Sequence, residues 1–204
     1  MNSTARALHP VPRAVVRLSG AIVQIERMAL MAFMSLLLVL ILLNVVTRYA
    51  RIPLYWVDEA AVYSVVWLTF IGASAMTRLR MDFAVTLLTD NVGPRAARLL
   101  KVLATMSVFL LGCGLLAMCW LWLDPVGIAR YSFDAKEYAA NSFNFLYTEK
   151  TQTLEWPTWI LQSIMPLFAL TFTIHALANL IEDLDLHPRA AIPGFRIANP
   201  DAVN

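Results

Sequence analysis

Residues 56–80, WVDEAAVYSVVWLTFIGASAMTRLR, decide the fold of this chain. Asp58 and Glu59 stand at the beginning of the stretch, and Arg78 and Arg80 stand at its end. The apolar run between them is about as long as a helix that crosses a bilayer. The stretch therefore predicts a transmembrane helix with charged residues at both ends.

The surface of this helix is expected to be uneven, because helical periodicity gathers its large aromatic and polar residues on one face. These residues are Glu59, Tyr63, Trp67, Phe70 and Ser74. The opposite face carries Ala61, Gly72 and Ala75, which are small enough to let a second helix approach closely. We expect the aromatic face to contact a partner protein. The predicted interface comprises the five residues of that face and, close to them, Asn44, Arg48 and Trp56.

The composition extends the membrane assignment to the whole chain. The 204 residues are 59% hydrophobic and only 15% charged, and the mean hydropathy is +0.64. A soluble protein of this length would carry about a quarter charged residues, so four core helices of a soluble domain are not a workable reading. We predict an all-α integral membrane protein in contact with the lipid bilayer. Its four transmembrane helices are expected near residues 28–46, 60–77, 102–123 and 159–181.

The segments outside the spans have distinct compositions. Residues 1–27 are predicted to be a cytoplasmic tail, because His9-Pro10-Val11-Pro12 should prevent an early helix, with 14–24 lying along the membrane surface. Residues 82–90 suggest a short interfacial helix after the second span. Residues 124–157 form a long periplasmic connection, and 182–204 form a cytoplasmic tail. Pro166 predicts a kink in the fourth span.

The distribution of basic residues predicts the orientation. With four spans, both termini lie on one side of the membrane. Placing them in the cytoplasm puts most of the bases inside, namely Arg6, Arg13, Arg17, Arg27, Arg78, Arg80, Arg95, Arg98, Lys101, Arg189 and Arg196. The bases that remain outside are Arg48, Arg51, Arg130, Lys136 and Lys150. We therefore expect both termini in the cytoplasm of a bacterium, with the chain in its inner membrane.

The sequence offers little reactive chemistry. It has no Ser/His/Asp arrangement, phosphate loop, zinc motif or nucleic-acid-binding feature, so we expect no enzyme, no cofactor and no metal. The predicted spans contain no charged side chain, whereas transporter cores usually carry some. His175 is the single histidine of a span, and we expect it to form a hydrogen bond with Asn179 inside the bundle.

Charged residues at the ends of the spans have two readings. Arg48 could pair with Asp58 or Glu59 to close the turn between the first two spans, or these groups could be separately solvated. Arg78 and Arg80 are expected to be anchors at the cytoplasmic interface, where long basic side chains reach water or head groups.

Several motifs together resemble a known family. These are Asn44-x-x-x-Arg48-Tyr49, Trp56-x-Asp58-Glu59, Trp67-Leu68-x-Phe70-Ile71-Gly72-Ala73-Ser74 with Arg78, and Thr153-Leu154-x-Trp156-Pro157-x-Trp159 with Pro166. Their order and spacing resemble the small membrane subunit, of the DctQ type, of tripartite ATP-independent periplasmic (TRAP) transporters. The likeness covers residues 25 to 182.

The resemblance implies a non-catalytic subunit in a stable complex with a much larger membrane subunit. In that family a periplasmic binding protein delivers an organic anion transiently, and the large subunit moves it inward in a sodium-coupled elevator motion. The small subunit braces the stationary scaffold and holds no substrate. Two departures stand out: Met81-Asp82-Phe83 replaces a segment in which relatives commonly have a histidine, and the 124–157 connection is longer than usual.

One alternative belongs to a different class of protein. A self-sufficient four-helix transporter or channel would have the same length and composition. The sequence does not name a substrate or a coupling stoichiometry, and transport by the chain alone in liposomes would favour this alternative.

Overall fold

The computed structural model describes residues 10–80, 93–189 and 192, and in these residues it is a bundle of helices. The long helices are α1 (Pro10–Tyr49), α2 (Tyr55–Leu79), α3 (Pro94–Leu123) and α7 (Ile164–Asp183). The short helices are α4 (Pro125–Arg130), α5 (Ala135–Ser142) and α6 (Thr158–Gln162). Four helical segments are long and apolar enough to cross a membrane, which confirms the predicted fold class. The predicted interfacial helix at 82–90 lies outside the described residues.

Helix α1 begins much earlier than expected. It runs without a break from Pro10, so the expectation that the early prolines prevent a helix is wrong, and residues 14–24 continue the helix of the first span. A proline in the first turn of a helix costs nothing, because the N–H that it lacks would have no partner there. The extension packs on α7 through residues three or four positions apart, namely Val16, Ser19, Val23 and Glu26.

The fourth membrane segment is divided where the proline predicts an interruption. Helix α6 ends at Gln162, and α7 begins at Ile164. Pro166 has no N–H to donate to the carbonyl of Gln162, four residues earlier, so the regular ladder is lost at that point. At the same interruption, the hydroxyl of Ser163 donates to the carbonyl oxygen of Ile160 over 2.6 Å.

Helix α7 is the centre of the bundle, because it packs against α1, α2 and α3. It approaches α3 closely at Gly112. A Cβ atom built on Gly112 would lie 2.6 Å from Thr173 Oγ1 and 3.2 Å from Thr173 Cα. Only glycine permits this separation without moving one helix away from the other.

The connection between α3 and α6 is an ordered structure built on aspartate caps. Asp124 accepts a hydrogen bond from the backbone N–H of Gly127 at the start of α4, and Asp134 caps α5 by accepting from Lys136 and Glu137. The Tyr138 hydroxyl donates to Asp124 Oδ2 over 2.9 Å. Burial raises the pKa of the Tyr138 phenol still further above neutral pH, and the protonated phenol is the donor of this hydrogen bond.

Candidate interaction surface

The turn between α1 and α2 is closed by three side chains that we call the turn triad: Asn44, Arg48 and Asp58. Arg48 Nε donates to Asn44 Oδ1 over 2.8 Å, and Arg48 Nη2 lies 2.8 Å from Asp58 Oδ2. The Asn44 amide nitrogen donates to the other oxygen of Asp58. Asn44 and Arg48 meet because they are one helical turn apart on α1. Of the two predicted partners for Arg48, the structure brings Asp58 to it.

Glu59 has a different task, although it is the next residue along α2. Its carboxylate accepts hydrogen bonds from the backbone N–H groups of Gln152, Thr153 and Leu154 over 2.8–2.9 Å. The Thr153 hydroxyl adds a further hydrogen bond of 2.5 Å. Consecutive side chains of a helix point about 100° apart, so Asp58 faces α1 while Glu59 faces the connection. Glu59 therefore fastens the connection to the start of α2.

Several residues of the aromatic face of α2 also pack inside this chain, and the expectation that the face contacts a partner stays a prediction. The indole of Trp67 donates to the carbonyl oxygen of Leu161 over 2.9 Å, and its ring lies 5.6 Å from the ring of Phe33. The Phe70 ring lies 5.2 Å from the Phe168 ring. This face of α2 therefore packs on α1 and α6 through Trp67 and on α7 through Phe70.

Ser74 continues the same internal seam. Its hydroxyl lies 2.7 Å from that of Thr171, and its side chain is 1% exposed. Of the residues predicted for the partner interface, only Ser74 is buried, and two are exposed, namely Arg48 and Trp56. The others are half-buried: Asn44, Glu59, Tyr63, Trp67 and Phe70. The exposed part of the predicted interface is therefore the end of α2 near the turn triad.

The other end of the bundle holds a group that we call the terminal ion network. Its members are Arg78, Arg80, Asn179, Glu182 and Asp183. Arg78 forms a two-pronged ion pair with Glu182 at 2.6 and 3.0 Å, and both side chains are 2% exposed. Arg80 lies 2.9 Å from Asp183. Asn179 accepts from Arg78 and donates to the Thr77 carbonyl oxygen.

This network corrects the expectation that Arg78 and Arg80 are interface anchors. Arg78 is buried between α2 and α7, and Arg80, which caps α2 in a left-handed conformation, turns back toward α7. The network also reaches α3, since Thr105 donates to Asp183 Oδ2 over 2.7 Å. A buried arginine needs a carboxylate partner. Glu182 and Asp183 therefore belong to the bundle rather than to the predicted tail.

A second buried polar cluster was missed by the sequence reasoning. Ser19 Oγ lies 2.7 Å from His175 Nδ1, and His175 Nε2 lies 3.1 Å from Glu26 Oε2. The expected partner of His175, Asn179, is engaged in the terminal ion network instead. The sequence does contain a pattern that predicts this contact, because one helix face would carry Val16, Ser19, Val23 and Glu26. Pro10 and Pro12 argued against a helix at this position. Because Ser19 and His175 are fully buried, the cluster joins α1 to α7 and offers no accessible nucleophile.

The connection between α3 and α6 also carries exposed aromatic side chains. Phe133, Phe143 and Trp156 are all more than half exposed. Phe133 and Phe143 also have left-handed backbone conformations, with φ of 63° and 57°. A left-handed backbone conformation is uncommon and unfavourable for an aromatic residue. The surface that exposes the rings of Phe133 and Phe143 in this conformation is therefore a candidate for contact with another protein.

The fold and the polar contacts define a multi-pass helical membrane protein in which the buried charged groups join its own helices. In the described residues no group of three His, Cys, Asp or Glu side chains could hold a metal ion. The family model for the DctQ component of tripartite ATP-independent periplasmic transporters matches residues 37–186, well over half of the chain. The chain belongs to this family, which is a family of transporter components and not of enzymes. No curated protein and no solved structure matches the chain.

Proposed function

We propose that this chain is the small permease subunit of a TRAP-type secondary transporter in a bacterial inner membrane, with both termini in the cytoplasm. It braces the stationary scaffold of the large membrane subunit during sodium-coupled uptake of an organic anion. The observation that carries the proposal is the use of charge inside the bundle. Arg78 is buried in an ion pair with Glu182, and Arg80 pairs with the buried Asp183, so both arginines stabilise the bundle and are not free to bind a transported anion.

The bracing proposal is tested by transport in sealed liposomes. The complete system, with the large subunit and the binding protein, should accumulate substrate when sodium is supplied outside. The chain alone should transport none, and the system without the chain should lose activity. Transport by the purified chain alone would overturn the proposal in favour of a self-sufficient transporter or channel.

We propose that the large subunit contacts the exposed end of α2 beside the turn triad. Trp56 is 41% exposed there, and an exposed tryptophan is typical of the centre of a protein contact or of a membrane interface. Trp56→Ala should reduce copurification of the large subunit. Trp120→Ala on α3 is the matched control, because Trp120 is exposed at the end of another helix facing the same side of the membrane. Equal loss of the complex in both variants would contradict this placement.

We propose that the binding protein docks on the connection at Phe133 and Phe143. Both rings are exposed, so replacing them with serine removes apolar contact area without opening the fold. The double variant should dock the binding protein more weakly and leave the membrane complex intact. This experiment is sharper than deletion of residues 132–147, because that deletion removes buried Tyr138 and its hydrogen bond to Asp124.

A further inference from the structure

A cavity of about 240 Å³ lies between α1 and α7, with α2 behind it. We propose that this groove holds one acyl chain of a membrane phospholipid. Its walls are Ile22, Ile25 and Ala29 on α1 and Leu167 and Phe168 on α7, and Phe70 forms its floor. The inference is independent of the proposed transporter function, because it requires only that the chain crosses a membrane.

The shape of the groove matches a hydrocarbon chain. Its lining runs from residue 22 to 29 on α1 and from 164 to 171 on α7, which is a length of about 10 Å along each helix. The volume exceeds that of an apolar cavity of about 150 Å³ that holds benzene. An apolar lining offers water no hydrogen-bond partners, so a linear apolar group is the occupant that fits.

The groove is open on the outer side of the bundle. Ile25 and Leu167 stand at its two edges and are 61% and 46% exposed. In a chain that spans a membrane, the medium outside these residues is lipid. A phospholipid tail therefore needs only to move sideways to enter the groove.

The lining of the groove is almost entirely apolar. Its two polar residues are Glu26 and Thr171, and they form hydrogen bonds with His175 and Ser74 inside the bundle. The groove therefore suits a hydrocarbon chain and offers no free polar group to a head group.

Photolabelling from within the bilayer tests this proposal directly. The full chain is reconstituted in phosphatidylethanolamine–phosphatidylglycerol vesicles that contain a phosphatidylcholine with a diazirine midway along one acyl chain. After irradiation, peptide mass spectrometry should find labels at 22–29 and 164–171 several-fold above those at Val62 and Val65, which are exposed on α2. Labelling of the groove at the same level as these two valines would show ordinary lipid contact and would overturn the proposal.

Filling the groove supplies the matched variants. Ala29→Phe should abolish the excess labelling, and Ala29→Leu should reduce it with less disturbance of packing. Ala21→Phe, on an exposed face of the same helix, is the control and should leave it unchanged. Circular dichroism and melting identify any variant that fails to fold.

Excess labelling that survives in folded Ala29→Leu and Ala29→Phe would contradict the assignment of the groove. Labelling that is present in the isolated chain but lost in its complex with the large subunit would show that a partner helix is the occupant. That result would also overturn the proposal.

Discussion

The two ends of the bundle hold their charges in opposite ways. In the terminal ion network, Arg78 and Glu182 are buried almost completely, whereas in the turn triad the side chains of Arg48 and Asp58 are 61% and 45% exposed. Each end has an arginine–carboxylate pair at hydrogen-bond distance. Because water can solvate a charge left without its partner only at the exposed end, the loss of one partner should cost much more in the buried pair. The terminal ion network is buried against α7, whereas the turn triad is exposed.

The largest expected effect comes from breaking the buried pair. Arg78→Met leaves Glu182 buried without its main partner, which should lower the free energy of unfolding by about 3–5 kcal/mol. The measurement is unfolding by denaturant in detergent micelles, followed by tryptophan fluorescence. Arg78→Met with Glu182→Met should recover much of the loss, because the pair is then replaced by apolar groups. If Arg78→Met were as stable as Arg48→Met, the two ends would not differ in the way described.

The next effect tests whether close packing, and not charge alone, holds α3 to α7. Gly112→Ala places a Cβ atom against Thr173 and should destabilise the bundle by about 1–3 kcal/mol. Gly114→Ala is the control on the same helix, since nothing lies within 4 Å of its added Cβ. Both variants gain the same helix propensity, so the difference between their unfolding free energies isolates the contact. Identical stabilities would show that the helices separate without cost.

A smaller and local effect is expected at the exposed end. Glu59→Gln keeps the size of the side chain but replaces one of its two acceptor oxygens by an N–H donor. The amides of residues 152–154 then have to share the one oxygen that remains. Hydrogen exchange of these amides should accelerate while the terminal ion network keeps its protection. Asp58→Asn is the comparison, because its side chain faces α1. Unchanged exchange at 152–154 would mean that the connection is held by other contacts.

The smallest effect belongs to the exposed pair itself. A double-mutant cycle on Arg48 and Asp58 should give a coupling energy of no more than about 1 kcal/mol, falling as salt is added. Denaturant unfolding of the two single variants and the double variant supplies the cycle. Coupling of several kcal/mol, insensitive to salt, would show that this pair is shielded and that the ends are alike.

The sequence predicted the elements better than the contacts between them. Apolar runs and Pro166 gave the membrane helices and the interruption, since both depend on local chemistry. The start of α1 was misjudged because Pro10 can begin a helix as well as prevent one. The helical periodicity of α2 placed its large aromatic residues on one face and its small residues on the opposite face. Periodicity alone could not say whether Trp67 would meet another subunit or α6 of its own chain.

The sequence by itself determined that this is an all-helical membrane protein, because hydrophobicity and length are properties of each segment alone. Only the tertiary structure decided which polar groups meet. Arg78 and Glu182 are 104 residues apart, and Ser19 and His175 are 156 residues apart, so no local pattern links them. Their pairing follows from the packing of α7 against both α1 and α2, where a buried polar group must find its partner on another helix.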